Sequence, residues 1–133
     1  MKITNNEGGR NELAKLFKGV GAEIGVESGA YAKIICLTNP AVKLYAIDSW
    51  QAYRKYRDHV RPEKLEKFYE HAKYRLKDYD CTLIREFSME ALKHFTDNSL
   101  DFVYIDANHT YDFVREDIIG WTEKVKKGGI VSA

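Results

Sequence analysis

Short apolar runs rich in β-branched and aromatic residues alternate with stretches of helical periodicity along the chain. This alternation restricts the fold more than any single residue does. Asn11 to Lys18 reads as a short helix with Leu13, Leu16 and Phe17 on one side. "GAEIGV" then reads as a strand, followed by a helical pattern from Ala30 to Leu37. "AVKLYAID" (Ala41 to Asp48) is β-rich and closes on an acid. Trp50 to Tyr79 is mostly helical, broken near Pro62, with Leu65, Phe68, Tyr69, Ala72 and Leu76 at helical spacing. "CTLIRE" (Cys81 to Glu86) is a third strand, Ser88 can cap a helix running to about Phe95, and "SLDFVYID" (Ser99 to Asp106) is a fourth strand. Asp112 to Lys126 carries Val114, Ile118, Trp121 and Val125 on one helical side. Gly128 and Gly129 are expected to stop that helix before "IVSA" opens a fifth strand.

Near-continuous apolar strands separated by helices imply a parallel sheet covered on both faces. Right-handed crossovers wind such a sheet in both directions from its middle. A chain of 133 residues, with 13% aromatic and 31% charged residues, suits one globular domain over 1–133 rather than a disordered chain. Ligands of such folds sit beyond the carboxyl ends of the strands. The segments of interest are therefore Gly25 to Gly29, Asp48 to Trp50, Glu86 to Ser88 and Asp106 to Tyr111.

The first of these is the most unusual. "GAEIGVESGAYAKII" places three glycines and two glutamates at one strand-to-helix turn. A nicotinamide site wants G-x-G-x-x-G after the strand, but Gly19-Val-Gly21 precedes it. No Gly-Lys-Ser/Thr closes a phosphate loop. What remains, Glu23-x-Gly25-x-x-x-Gly29, resembles motif I of the class I S-adenosylmethionine-dependent methyltransferases. The likeness extends from about Ala22 to Val131. It takes in Asp48 at the end of the second strand, "REFSMEAL" after the third, and "YIDANHTYDFVREDIIGWTEKVKKGGIV" over the fourth and fifth. That last stretch resembles small-molecule O-methyltransferases of the superfamily.

The resemblance implies a Rossmann-like, doubly wound α/β sheet of strand order 3-2-1-4-5, with S-adenosylmethionine as cofactor. Gly25 would let the backbone approach the methionine part, since a β-carbon there would collide with it. Glu23 would help hold the ammonium group, with Val26, Glu27 and Gly29 completing the turn. Asp48 would take the ribose hydroxyls through charge-assisted bonds. Ser49, Trp50, Phe87 and Ser88 would border the adenine. Each residue also has a plain structural reading: a tight turn for Gly25 and Gly29, a helix cap for Asp48 and Ser88, and a core position for Trp50. Asp106 would face the cleft near the methionine end and the acceptor. His109 is the candidate general base, because imidazole titrates near neutrality; as an alternative it is an exposed loop residue.

The expected reaction is methyl transfer to a small-molecule hydroxyl. The Asp/Asn-Pro-Pro-aromatic motif of DNA amino-methyltransferases is absent, since Asp106-Ala107-Asn108-His109 stands in its place, and nucleic acid is not expected as acceptor. The net charge of +1 agrees, and Asp58 interrupts the basic stretch from Arg54 to Arg61. A second function class stays open: a non-catalytic cofactor-binding or partner-binding module. No bound metal is expected, for want of a second set of oxygen ligands after the fifth strand. Cys36 and Cys81 share no ligand spacing and read as buried thiols of a reducing compartment. No apolar run is long enough to span a membrane, and "MKITNNEGGR" lacks the apolar core of a secretory signal, so a cytoplasmic protein is expected. Relatives carry two further strands as a hairpin. The chain is thus expected to be incomplete after its fifth strand, with that strand an open edge suited to self-association.

Overall fold

The computed structural model describes residues 2–4, 9–51, 61–106 and 111–133. Six parallel strands form one sheet in the order β1-β6-β5-β2-β3-β4. They are β1 (Lys2–Thr4), β2 (Val20–Ile24), β3 (Lys43–Asp48), β4 (Cys81–Arg85), β5 (Leu100–Ile105) and β6 (Val125–Ser132). The helices are α1 (Arg10–Ala14), α2 (Ala30–Thr38), α3 (Pro62–Leu76), α4 (Ser88–Ala91), continued by a 3₁₀ turn over Leu92–His94, and α5 (Tyr111–Thr122). The five strands expected from the sequence are β2 to β6, and they pair in the order 3-2-1-4-5. From β2 the chain winds outward through β3 to β4, then crosses back to β5 on the other flank. The switch point therefore lies between β2 and β5.

Alternation along the central strands builds two cores. Leu44 and Ala46 of β3 and Phe102 and Tyr104 of β5 point to one face. There they meet Phe17, Tyr31, Ile35, Ala72 and Leu76. Ala22, Ile24, Ile47, Val103 and Ile105 point to the other face, against Ala91, Trp121 and Val131. Burial on both faces is why these strands read as apolar runs instead of clean alternation. One residue breaks the chemistry of the first core: Glu23, at an inward position of β2, is 1% exposed.

Three expectations are corrected. The edge of β6 is not open, because Lys2–Thr4 pairs with it in parallel register, Lys2 opposite Ile130 and Thr4 opposite Ser132. That edge therefore gives no ground for self-association. The last helix ends at Thr122, and the final strand begins at Val125, ahead of the two glycines. Val125 is buried and pairs with Leu100, and the register slips before Phe102 pairs with Ile130, so the Lys-Lys-Gly-Gly stretch forms an irregularity within the strand. Leu16 does not share the buried side of Leu13 and Phe17, because α1 stops at Ala14 and leaves it 44% exposed. The basic stretch from residue 52 to residue 60 lies outside the described residues.

Gly21 shows how tightly the sheet is packed. It sits opposite Phe102, and a β-carbon on it would enter that ring, which is stacked on Phe17 with centroids 4.6 Å apart. Gly21→Ala is expected to lower stability by about 1–3 kcal/mol through overpacking. Urea unfolding monitored by circular dichroism measures this.

Candidate functional site

The carboxyl ends of β2, β3, β4 and β5 lead into the segments singled out in the sequence. β2 ends at Ile24, and the chain turns through Gly25 and Gly29, both at positive φ (92° and 81°), into α2. Gly29 has a second reason to be glycine: a β-carbon there would come within 3.2 Å of the Ala72 backbone and of Leu76 on α3. The turn is tied down from several sides. The Gly25 N–H donates to the Ile47 carbonyl at 2.9 Å, and the Gly29 N–H to the Val26 carbonyl at 2.9 Å. Arg75 of α3 donates to the carbonyl and hydroxyl of Ser28, at 2.9 and 3.1 Å.

Asp48 organises this region. Its Oδ2 accepts the backbone N–H groups of Val26 and Glu27, each at 2.9 Å, and its Oδ1 accepts the Trp50 N–H at 2.8 Å. A carboxylate offers about four acceptor positions, so roughly one remains for a ligand hydroxyl. Ser49 is buried and folds back on its own loop, donating to the Gln51 carbonyl and accepting the Gln51 N–H. Trp50 is buried at positive φ (48°), donates its indole N–H to the Glu27 carbonyl at 2.8 Å, and packs on Tyr69. Val26 is buried in the first core, and Glu27 is exposed at φ 51°.

After β4, Phe87 occupies the cap position of α4 with extended backbone, and Ser88 is the first helical residue. The Ser88 hydroxyl caps nothing. It donates to Asp117 of α5 and accepts the Trp121 indole N–H at 2.9 Å, all three residues being buried. Burial lifts the Asp117 carboxyl to about 6 against the opposing effect of the Ser88 hydrogen bond, with Glu116 adding to the rise. Asp117 escaped the sequence reading although it interrupts the apolar stripe of Val114, Ile118 and Trp121, which is a legible sign of a buried charge. At Glu86, Oε1 pairs with His94 at 2.8 Å while the buried Oε2 has no partner.

On the other flank the Asp106 N–H extends the β2–β5 ladder by donating to the Ile24 carbonyl at 2.7 Å. Its carboxylate lies 3.5 Å from the Arg10 guanidinium. His109 and Asn108 lie outside the described residues, so the expected base has no described position. Between Asp48 and Asp106 sits Glu23, whose buried Oε2 has no hydrogen-bond partner. Burial drives its carboxyl well above the usual range. Arg10 opposes the rise, and the charges of Asp106, Asp48 and Cys36 add to it. An orphaned carboxylate oxygen beneath a glycine turn suits a cationic ligand group, and the S-adenosylmethionine ammonium meets that requirement. Among the described residues, no cluster of three or more His, Cys, Asp or Glu is placed to hold a metal ion. None of the described helices is long and apolar enough to cross a membrane.

A family model described as "Methyltransferase domain" matches residues 22–133, and the chain belongs to that methyltransferase family. No curated protein sequence matches the chain. Solved structures of the same fold include an rRNA methylase from Streptococcus thermophilus (TM-score 0.63, 16% identity, covering 92% of this chain and 66% of that one). A putative caffeoyl-CoA O-methyltransferase from Staphylococcus aureus is similar (0.64, 16%, 92% and 53%). So is the O-methyltransferase TomG from Streptomyces achromogenes, involved in tomaymycin synthesis and solved in complex with SAM (0.64, 20%, 92% and 51%). At these identities the likeness concerns the fold, and the chain spans less than two thirds of each of these proteins. The rRNA methylase corrects the expectation of a small-molecule acceptor with nucleic acid excluded. Absence of one DNA-methylation motif argues against one acceptor geometry and leaves other nucleic-acid acceptors open.

Asp48→Ala leaves three backbone N–H groups without their acceptor. It is expected to destabilise the ligand-free protein by about 2–3 kcal/mol, since water replaces only part of the loss; urea midpoints measure it. For Asp117, a folded value near 6 against an ordinary value of 3.8 means that its contribution is full below pH 3.8 and lost as pH rises through 6. The stability difference between wild type and Asp117→Asn should therefore move against wild type by up to ~3 kcal/mol over that window. Parallel unfolding at pH 4 and pH 7 tests it, and Glu23, present in both proteins, cancels.

Proposed function

We propose that the chain binds S-adenosylmethionine across the carboxyl ends of β2, β3 and β4 and directs its methyl group to an acceptor hydroxyl beyond β5. The observation that carries this reading is the unpartnered, fully buried Oε2 of Glu23 beneath the turn from Gly25 to Gly29. Burial without a partner favours the neutral carboxyl of Glu23, and a ligand ammonium beside it would favour the ionised form. When bound, the cofactor supplies a methyl group on a sulfonium, already activated for displacement.

The roles of the protein groups follow from their places. Glu23 holds the ammonium. Asp48, with its remaining acceptor position, meets a ribose hydroxyl while fixing the turn that approaches the ligand. Val26, Glu27, Ser49 and Trp50 shape the wall between the two loops, and Phe87 and Ser88 supply the adenine side through the α4 N-terminus. Asp106, partly exposed at the end of β5, faces the acceptor, and His109 three residues on takes the hydroxyl proton.

Isothermal titration with S-adenosylmethionine and S-adenosylhomocysteine is expected to give one-to-one binding. Glu23→Gln should weaken it about thirtyfold, through loss of a charge-assisted contact of about 2 kcal/mol. Because the Glu23 carboxyl is raised and must ionise to meet an ammonium, affinity should increase as pH rises. Absence of heat with both ligands, with binding of a nicotinamide dinucleotide instead, overturns the reading. Turnover with hydroxylated compounds and with ribosomal RNA then assigns the acceptor.

A further inference from the structure

The cofactor reading leaves one charge at the cleft without a task, the guanidinium of Arg10. It stands at the start of α1, which is fastened to α2 at both ends. The Tyr31 hydroxyl donates to the Arg10 carbonyl at 2.7 Å, and the Asn39 amide donates to the carbonyls of Ala14 and Phe17, each at 2.8 Å. α1 therefore holds the Arg10 backbone against the sheet. The guanidinium lies over the Tyr31 ring, 4.3 Å from its centroid, and 5.6 Å from that of Tyr104. Tyr104 is the β5 partner of Glu23 in the sheet register. Arg10 thus overhangs the place where β2 and β5 end, with Glu23 beneath and Asp106 beside it.

The three charges do not satisfy one another. The contact between Arg10 and Asp106 is long, 3.5 Å, with side chains 47% and 37% exposed, and such pairs hold weakly. Among the described residues Glu23 Oε2 has no hydrogen-bond partner. A ligand carrying only a cation would serve the carboxylates and leave the guanidinium without a strong partner. A ligand carrying an ammonium and a carboxylate on one carbon serves all three. The planar guanidinium fork, braced on aromatic faces, suits a carboxylate better than an ammonium point charge would.

We infer that Arg10 reads the amino-acid end of the ligand. Its guanidinium takes the α-carboxylate while Glu23 and Asp106 take the α-ammonium, so the site selects a zwitterion over a plain adenosyl thioether or amine. This rests on the cofactor reading above and adds the residue that sets ligand selectivity.

Titration calorimetry on the whole chain tests it with three probes: S-adenosylhomocysteine, its decarboxylated counterpart bearing a 3-aminopropyl chain, and 5′-methylthioadenosine, which lacks both charged groups. Wild type should prefer S-adenosylhomocysteine over the decarboxylated probe by about tenfold or more, as loss of a bidentate charged contact implies. In Arg10→Gln that preference should collapse, by weaker binding of S-adenosylhomocysteine alone, and Arg10→Lys should restore part of it. Equal wild-type affinity for the first two probes overturns the inference. So does an Arg10→Gln protein that weakens for both equally or for neither. Wild type that binds none of the three overturns the cofactor reading itself.

Discussion

Asp48 gathers three backbone N–H groups, two from the turn after β2 and one from the turn after β3, onto one carboxylate. Two loops that belong to different strands are thereby made into one body. The indole N–H of Trp50 closes the same body from the other direction, on the Glu27 carbonyl. Both Glu27 and Trp50 hold positive φ, a conformation that costs free energy for a side-chain residue and persists only where surrounding contacts enforce it. Without the carboxylate the glycine turn would keep its ties to Ile47 and Arg75 but lose the link that joins it to the turn after β3. Any ligand of this cleft meets a surface already set, so little of its binding free energy is spent on ordering the chain.

Among the described residues two buried carboxylates, Glu23 and Asp117, are treated in opposite ways. Asp117, under the second core, is met by the Ser88 hydroxyl, and the pair anchors α4 to α5. Glu23, under the first core, has one oxygen left unmet and faces Arg10, Asp106 and Asp48 across the strand ends. A structural acid in a core is normally satisfied by its own protein. The contrast is between an acid satisfied by its own protein and one with an oxygen left unmet.

Much of this was legible in the sequence. The strands β2 to β6 announce themselves because burial on both faces requires long apolar runs, and Glu23 was reached through the resemblance of its turn to motif I. The convergence of the glycine turn, Asp48 and Asp106 follows from the rule that parallel strands present their carboxyl ends together. Other features had no such signature. β1 is a three-residue strand, "KIT", too short for any period to show. The start of β6 was hidden because Gly128 and Gly129 look like a helix stop, whereas the pairing of Val125 with Leu100 decides it. Arg10 was not legible, because its place over Tyr31 and Tyr104 depends on how α1 docks on α2. Nucleic acid was excluded too readily for a related reason: one missing DNA-methylation motif carries little information about other acceptors.

The protein has two tryptophans, and each donates its indole N–H to a segment bordering the cleft, Trp50 to Glu27 and Trp121 to Ser88. Their fluorescence therefore originates from the two flanks of the candidate site rather than from scattered surface positions. Indole emission responds to hydrogen bonding and to nearby charge. Replacing either tryptophan by phenylalanine leaves a single emitter that watches one flank alone, the glycine turn or the α4 N-terminus. The fold thus contains its own pair of optical probes, able to follow events at each side of the cleft without an added label.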